Sequence, residues 1–127
     1  MTKSMQEIIQ EAYNEIPEIK PEEALDMQKN GALIIDTREI NELAMTGKIK
    51  DAVHIPRGLI EFQNKETNPN GVNGFTKDKK IILYCAAGAR AALAGKALKD
   101  LGFSYVYNLG GFPDWLNAGL PVEKVQS

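Results

Sequence analysis

IILYCAAGARAALAGKALKDLG, residues 81–102, is the stretch on which the reading of this chain turns. Its first five residues are an unbroken apolar run, the pattern of a strand buried on both faces of a parallel sheet. Further on, Leu93, Ala94, Ala97, Leu98 and Leu101 fall at helical spacing with Lys96 and Lys99 turned away, and Gly102 suits the residue that ends such a helix. Between strand and helix lie only Cys85, the small residues Ala86, Ala87, Gly88 and Ala89, and then Arg90. Small residues let a turn curl tightly, and Gly88 can take a positive φ that side chains resist. Successive N–H groups in such a turn would point inward as an anion-binding nest, and the helix that follows adds the positive end of its dipole. A thiol held there is favoured as the thiolate, the form that acts as a nucleophile. The plainer alternative is a small buried residue closing a strand, a common place for cysteine.

Working outward, ALIID (32–36), AVHIP (52–56) and SYVYN (104–108) read as three further strands. Helical segments separate them: EEALDMQKN after Pro21, a short face of Ile40, Leu43 and Ala44, and FPDWLNAG ending at Gly119. Alternation of short apolar strands with helices predicts an α/β fold, with a mostly parallel sheet covered on both faces. Residues 63–79 hold four Asn, two Gly and one Pro, a connection long enough to be a lid, an insertion or a mobile loop. At the start of the chain, Met5, Ile8, Ile9, Ala12, Tyr13 and Ile16 form one helical stripe that Pro17 stops. That stripe fits either a helix packed on the domain or a surface for a partner or a second copy. The organisation expected is an amphipathic helical extension over 1–16 and a single domain over 17–127.

Composition narrows the functions. The chain has 127 residues, 43% of them apolar and 25% charged, which is one globular domain's worth. A net charge of −2 argues against a nucleic-acid surface, and no apolar run is long enough to span a bilayer. The first residues carry scattered acids and no long apolar stretch, so no signal peptide is read and a cytoplasmic location is expected. One cysteine and one histidine leave no internal disulfide and too few ligands for a zinc site; no metal or cofactor is expected. With no second cysteine, anything carried on Cys85 must be discharged to another molecule.

The arrangement of strand, Cys85-Ala-Ala-Gly-Ala-Arg90 and helix resembles the active-site loop of single-domain rhodaneses. Three other segments resemble the same family in the same order: LIIDTRE (33–39), GKIKDAVHIP (47–56) and NLGGFPDWLNAGLPVEK (108–124). The likeness spans about residues 17–125. It implies a three-layer fold with a central sheet of about five strands, and thiosulfate:cyanide-type sulfurtransferase activity. Cys85 would take the outer sulfur of thiosulfate or a persulfide donor as a persulfide. It would then pass it to cyanide, a thiol or a protein, while the N–H groups from Ala86 to Arg90 cradle the anion. The alternative within the family is a sulfur-carrier or regulatory module acting on a protein partner. Related phosphatases and arsenate reductases carry one more residue between Cys and Arg, and position 91 here is Ala91, which disfavours that chemistry.

Where many active members carry Arg or Lys just after the cysteine, this chain has Ala86 and Ala87; Arg57, in the HIPRG segment, is the candidate cation for an anionic donor. Asp36 and Arg38 are read as supports of the site, and Arg90 as a cation held by an acid or an anion, since it opens a helix. The family's usual His in the GHIPGA stretch is Lys48 here. His54 is read as structural, and Phe112 and Trp115 as core or pocket wall.

Overall fold

In the computed structural model, which describes residues 2–126, the IILYC run is β4 (Ile81–Cys85), and all five of its residues are buried. It lies inside a four-stranded parallel sheet of order β3-β1-β4-β5, with β1 at Leu33–Asp36, β3 at Val53–His54 and β5 at Val106–Gly111. On the outer edge of β5, Glu18 adds one parallel bridge to Asn108, a rudimentary fifth position in the sheet. A separate antiparallel pair, β2 (Lys48–Ile49) with β6 (Val122–Glu123), stands apart from it.

Alternation along β4 builds two cores. Ile81, Leu83 and Cys85 face one side, with Ile35 of β1, the buried alanines and Leu98 of α4 (Ala89–Asp100), and Phe75 and Phe103. Ile82 and Tyr84 face the other, with Ile34, Ala24 of α2 (Pro21–Lys29), and Phe112 and Trp115 of α5 (Phe112–Asn117). Helices therefore cover both faces, and the central strand β4 is apolar throughout because neither of its faces meets water. The remaining helices are α1 (Met5–Glu15), α3 (Ile40–Thr46) and a 3-10 segment over Arg57–Phe62.

Three details depart from the sequence expectations. The strand after α4 runs over 106–111 rather than 104–108, carried past Asn108 by two glycines. A side chain on Gly111 would meet the Ala86 carbonyl oxygen at 2.5 Å, so glycine lets β5 pass against the Cys85 turn. The 63–79 connection is a folded surface loop, not a loose lid. Asn64, fully buried, accepts from the Thr67 N–H and donates to the Glu61 carbonyl, and buried Phe75 packs on Phe103 with ring centroids 5.5 Å apart. The strand expected over 52–56 is only Val53–His54, and a 3-10 turn follows at Arg57–Phe62.

The amphipathic stripe of α1 is divided between two environments. A capping box of Ser4 and Glu7 starts the helix, and Ala12 and the cap residue Ile16 are buried against α4. Ile16 lies where any side chain on Gly95 would press, at 3.0 Å, so the two helices approach closely. Met5 and Ile8, by contrast, remain 61% and 38% exposed. Among the described residues no helix is long and apolar enough to cross a membrane.

Candidate active site

Cys85 ends β4 at the carboxyl edge of the sheet, in register with Gly111 of β5, and is 1% exposed. In parallel sheets this edge is where ligands bind, because the strands stop and helices begin with their N–H groups pointing outward. Gly88 caps α4 with φ +111°, the positive value its sequence position called for, and its N–H donates to Cys85 Sγ at 3.0 Å. Asn108 of β5 fixes that geometry. Its Nδ2 donates to the Gly88 carbonyl at 3.2 Å, while its Oδ1 accepts from the Gly110 N–H at 2.8 Å. The carbonyl of Gly88 is thereby held on β5 while its N–H meets the sulfur. Ala86 and Ala87 are exposed, so the loop around Cys85 meets solvent chiefly through two methyl groups.

Arg90 sits in the first turn of α4, where a cation opposes the helix dipole. Glu42 of α3 answers it with both carboxylate oxygens, at 2.7 and 2.9 Å from the two terminal nitrogens. The hydrogen bonds from Arg90 are the main reason the Glu42 carboxyl falls to about 2. Arg90 is raised in turn, first by Glu42 and in smaller measure by Cys85.

Asp36 and Arg38 form a second, buried assembly beneath the site. Arg38 Nε and Nη2 donate to the Asp36 carboxylate, with the closest pair at 2.8 Å, and its remaining donors reach Thr46 Oγ1 and the Gly47 carbonyl. The guanidinium also lies 4.6 Å from the Phe112 ring centre. Its own carbonyl takes His54 Nε2 at 2.6 Å, so His54 is engaged in structure. Thr37, between the two charges, donates both its N–H and its hydroxyl to the Tyr84 carbonyl at 2.9 Å, tying β1 to β4 one residue before Cys85.

Among the described residues no hydrogen bond or ion pair joins Arg57 to the Cys85 loop. The Arg57 N–H meets the Thr37 carbonyl, which places it at the same sheet edge, but its guanidinium pairs with Glu61 at 3.0 Å. Lys48, at the position of the missing motif histidine, pairs with Glu123 and donates to the Ala52 carbonyl. Phe112 is buried core and also pocket wall, whereas Trp115 is core, donating its indole N–H to the Pro121 carbonyl.

Two shallow grooves flank the loop. One, about 260 Å³, runs beside Ala86 between Phe112, Pro113 and Leu116 of α5 and Met45 of α3. The other, about 360 Å³, opens beside Ala87 between Tyr13, Pro21, Gly110 and Asp114. Sequence reasoning did not single out Asn108, Glu42, Thr37 or Tyr13 as parts of the site. Their contributions arise from strand register and helix crossing, which local spacing does not encode.

Comparison with known proteins agrees with this architecture. The family described as "Rhodanese-like domain" matches residues 20–118. A sulfurtransferase of Allochromatium vinosum is 35% identical over 91 residues, covering 71% of this chain and 77% of its own. Among solved structures, a Rhodopseudomonas palustris protein of unknown function, described as a possible tyrosine phosphatase, superposes with a TM-score of 0.83 at 34% identity. That match covers 97% of this chain and 96% of the other. The polysulfide-sulfur transferase homodimer of Wolinella succinogenes follows with a TM-score of 0.71 at 32% identity, covering 92% and 85%.

Proposed function

The chain belongs to the rhodanese-like domain family, and from that premise we propose that it is a sulfurtransferase working through a persulfide on Cys85. The observation that carries the proposal is the closed turn from Cys85 to Arg90, in which the Gly88 N–H is already directed at Sγ at 3.0 Å. A donor fixed in this position is needed where negative charge gathers on sulfur, and it costs no reorganisation when the charge arrives.

The chemistry balances with thiosulfate or a polysulfide as donor. The Cys85 thiolate attacks the outer sulfur, the bond from that sulfur to the sulfonate or to the next sulfur breaks, and the leaving group departs with the electron pair as sulfite or a shortened polysulfide. Cys85 is left as the perthiolate. Cyanide then attacks the outer sulfur and leaves as thiocyanate, regenerating the thiolate; a thiolate acceptor leaves as its own persulfide in the same way. The acceptor comes from outside the chain, because Cys85 is the only cysteine.

The uncharged Ala86 and Ala87 favour donors that do not need a lysine or arginine beside the sulfur. The Wolinella relative is a polysulfide-sulfur transferase, which supports a polysulfide or protein persulfide ahead of thiosulfate. Arg57 is the cation we assign to an anionic donor, reached by exchange of its bond to Glu61. The exposed Met5 and Ile8 of α1 provide an apolar face for self-association or a protein partner; the Wolinella relative is a homodimer.

Turnover with thiosulfate or polysulfide plus cyanide, followed as thiocyanate, tests the reading. Thiocyanate formation abolished in Cys85→Ser supports it. Release of phosphate from an aryl phosphate with no sulfur transfer contradicts it and revives phosphatase chemistry. Stoichiometric sulfur uptake without turnover identifies a sulfur carrier that serves one protein partner.

A further inference from the structure

Helix α1 lies outside the residues matched by the family, yet it reaches the sulfur site. Burial of Ala12 and Ile16 against α4 sets the helix so that Tyr13 projects toward the start of α4. The Tyr13 hydroxyl lies 2.8 Å from where a Gly88 side chain would begin, and Gly88 is the residue whose N–H meets Cys85 Sγ. Tyr13 and Ala87 line the same groove. Neighbouring polar groups are occupied, Gln10 on Asn14 and Lys99 on the Glu15 carbonyl, whereas no hydrogen bond among the described residues takes up the Tyr13 hydroxyl.

We propose that Tyr13 is a working residue of the sulfur site, its hydroxyl donating to the outer sulfur of the Cys85 perthiolate. This rests on the Cys85 persulfide reading. The phenol is raised, first by burial and then by Cys85 and Glu18, so it stays protonated as a donor throughout. No proton is transferred: the perthiolate keeps its charge and Tyr13 keeps its hydrogen. The helix outside the matched residues thus completes the anion site that Gly88 begins, in a loop where Ala86 and Ala87 offer no charge.

Tyr13→Phe removes the hydroxyl and keeps the ring. It is compared with wild type and with Lys96→Ala, which loosens the contact of α1 with α4 by removing the Lys96–Glu15 pair at 3.5 Å without touching Tyr13. Each protein is loaded with polysulfide, desalted and followed by intact mass, with melting curves alongside. The expected result is that Tyr13→Phe gains one sulfur on Cys85 but loses it roughly tenfold faster, as removal of a hydrogen bond to a charged group implies, with its melting temperature unchanged. Lys96→Ala should hold its persulfide as wild type does. A persulfide lifetime in Tyr13→Phe within twofold of wild type overturns the proposal. So does an equal shortening in Lys96→Ala, which assigns the effect to helix docking. If wild type itself takes up no sulfur, the Cys85 reading fails first, and the role of Tyr13 falls with it.

Discussion

Glu42 grips Arg90 across the mouth of the site, both carboxylate oxygens on both terminal nitrogens, at 2.7 and 2.9 Å. The pair joins α3 to the first turn of α4 and largely neutralises the one cation inside the Cys85 turn. Arg90 is therefore a strut of the loop, and an anionic donor has to find its charge elsewhere.

The pair has a definite pH signature. Glu42 falls from the ordinary 4.5 to about 2 in the folded protein, chiefly through Arg90, so its contribution to stability is full above about 4.5 and is lost as pH drops through about 2. Glu42→Gln should lower stability by about 1 kcal/mol at pH 7, the scale of a partly exposed ion pair. Thermal melts of the two proteins should converge as pH approaches 2; a constant gap over that range would show that the pair does not set it.

Asp36→Asn leaves the Arg38 guanidinium buried beside a neutral partner, with Asp36 fully buried and Arg38 nearly so. Removing one member of such a pair costs about 3–5 kcal/mol. Urea unfolding should show a loss of that size, and residual folded protein should retain sulfur transfer if the pair only supports the site.

Asn108→Ala leaves the Gly88 carbonyl with only the Ala92 N–H as donor and loosens the tie between β5 and the turn that presents the Gly88 N–H to Cys85 Sγ. Transfer should slow by about 10²-fold, the usual order for loss of one aligned anion donor. Rapid-mixing measurement of persulfide formation checks this; an unchanged rate would show that the Gly88 geometry does not depend on β5.

Arg57→Ala should raise KM for thiosulfate severalfold and leave polysulfide turnover nearly unchanged, because thiosulfate carries the dianion that Arg57 is assigned to hold. An unchanged KM for thiosulfate removes Arg57 as that cation.

Much of this architecture is legible in the sequence wherever one element's local pattern suffices. IILYC shows its double burial in composition, and Gly88 shows its positive φ by lying between a strand and a helix. The six-residue turn from Cys85 to Arg90 needs only counting. The reach of Tyr13 to Gly88 is of another kind, because it depends on where Ile16 crosses Gly95, a contact 79 residues apart in the chain. Asn108 reads as the end of a strand until the bulge between Leu83 and Tyr84 and the positive φ of Gly110 carry β5 on beside the loop. The Asn- and Gly-rich 63–79 segment reads as loose because polar residues dominate it. Its order comes from the burial of Asn64 and Phe75, set by the body they meet, and from backbone pairs across the loop such as Lys65 N–H to the Phe75 carbonyl and Val72 N–H to the Gln63 carbonyl.

The most direct test of the Cys85 persulfide is intact mass of the whole protein before and after polysulfide or thiosulfate, and again after cyanide, with Cys85→Ser in parallel. The account predicts a gain of one sulfur atom in wild type, its complete removal by cyanide with one equivalent of thiocyanate, and no gain in Cys85→Ser. Wild type that gains no sulfur from either donor, or a gain that persists in Cys85→Ser, contradicts it.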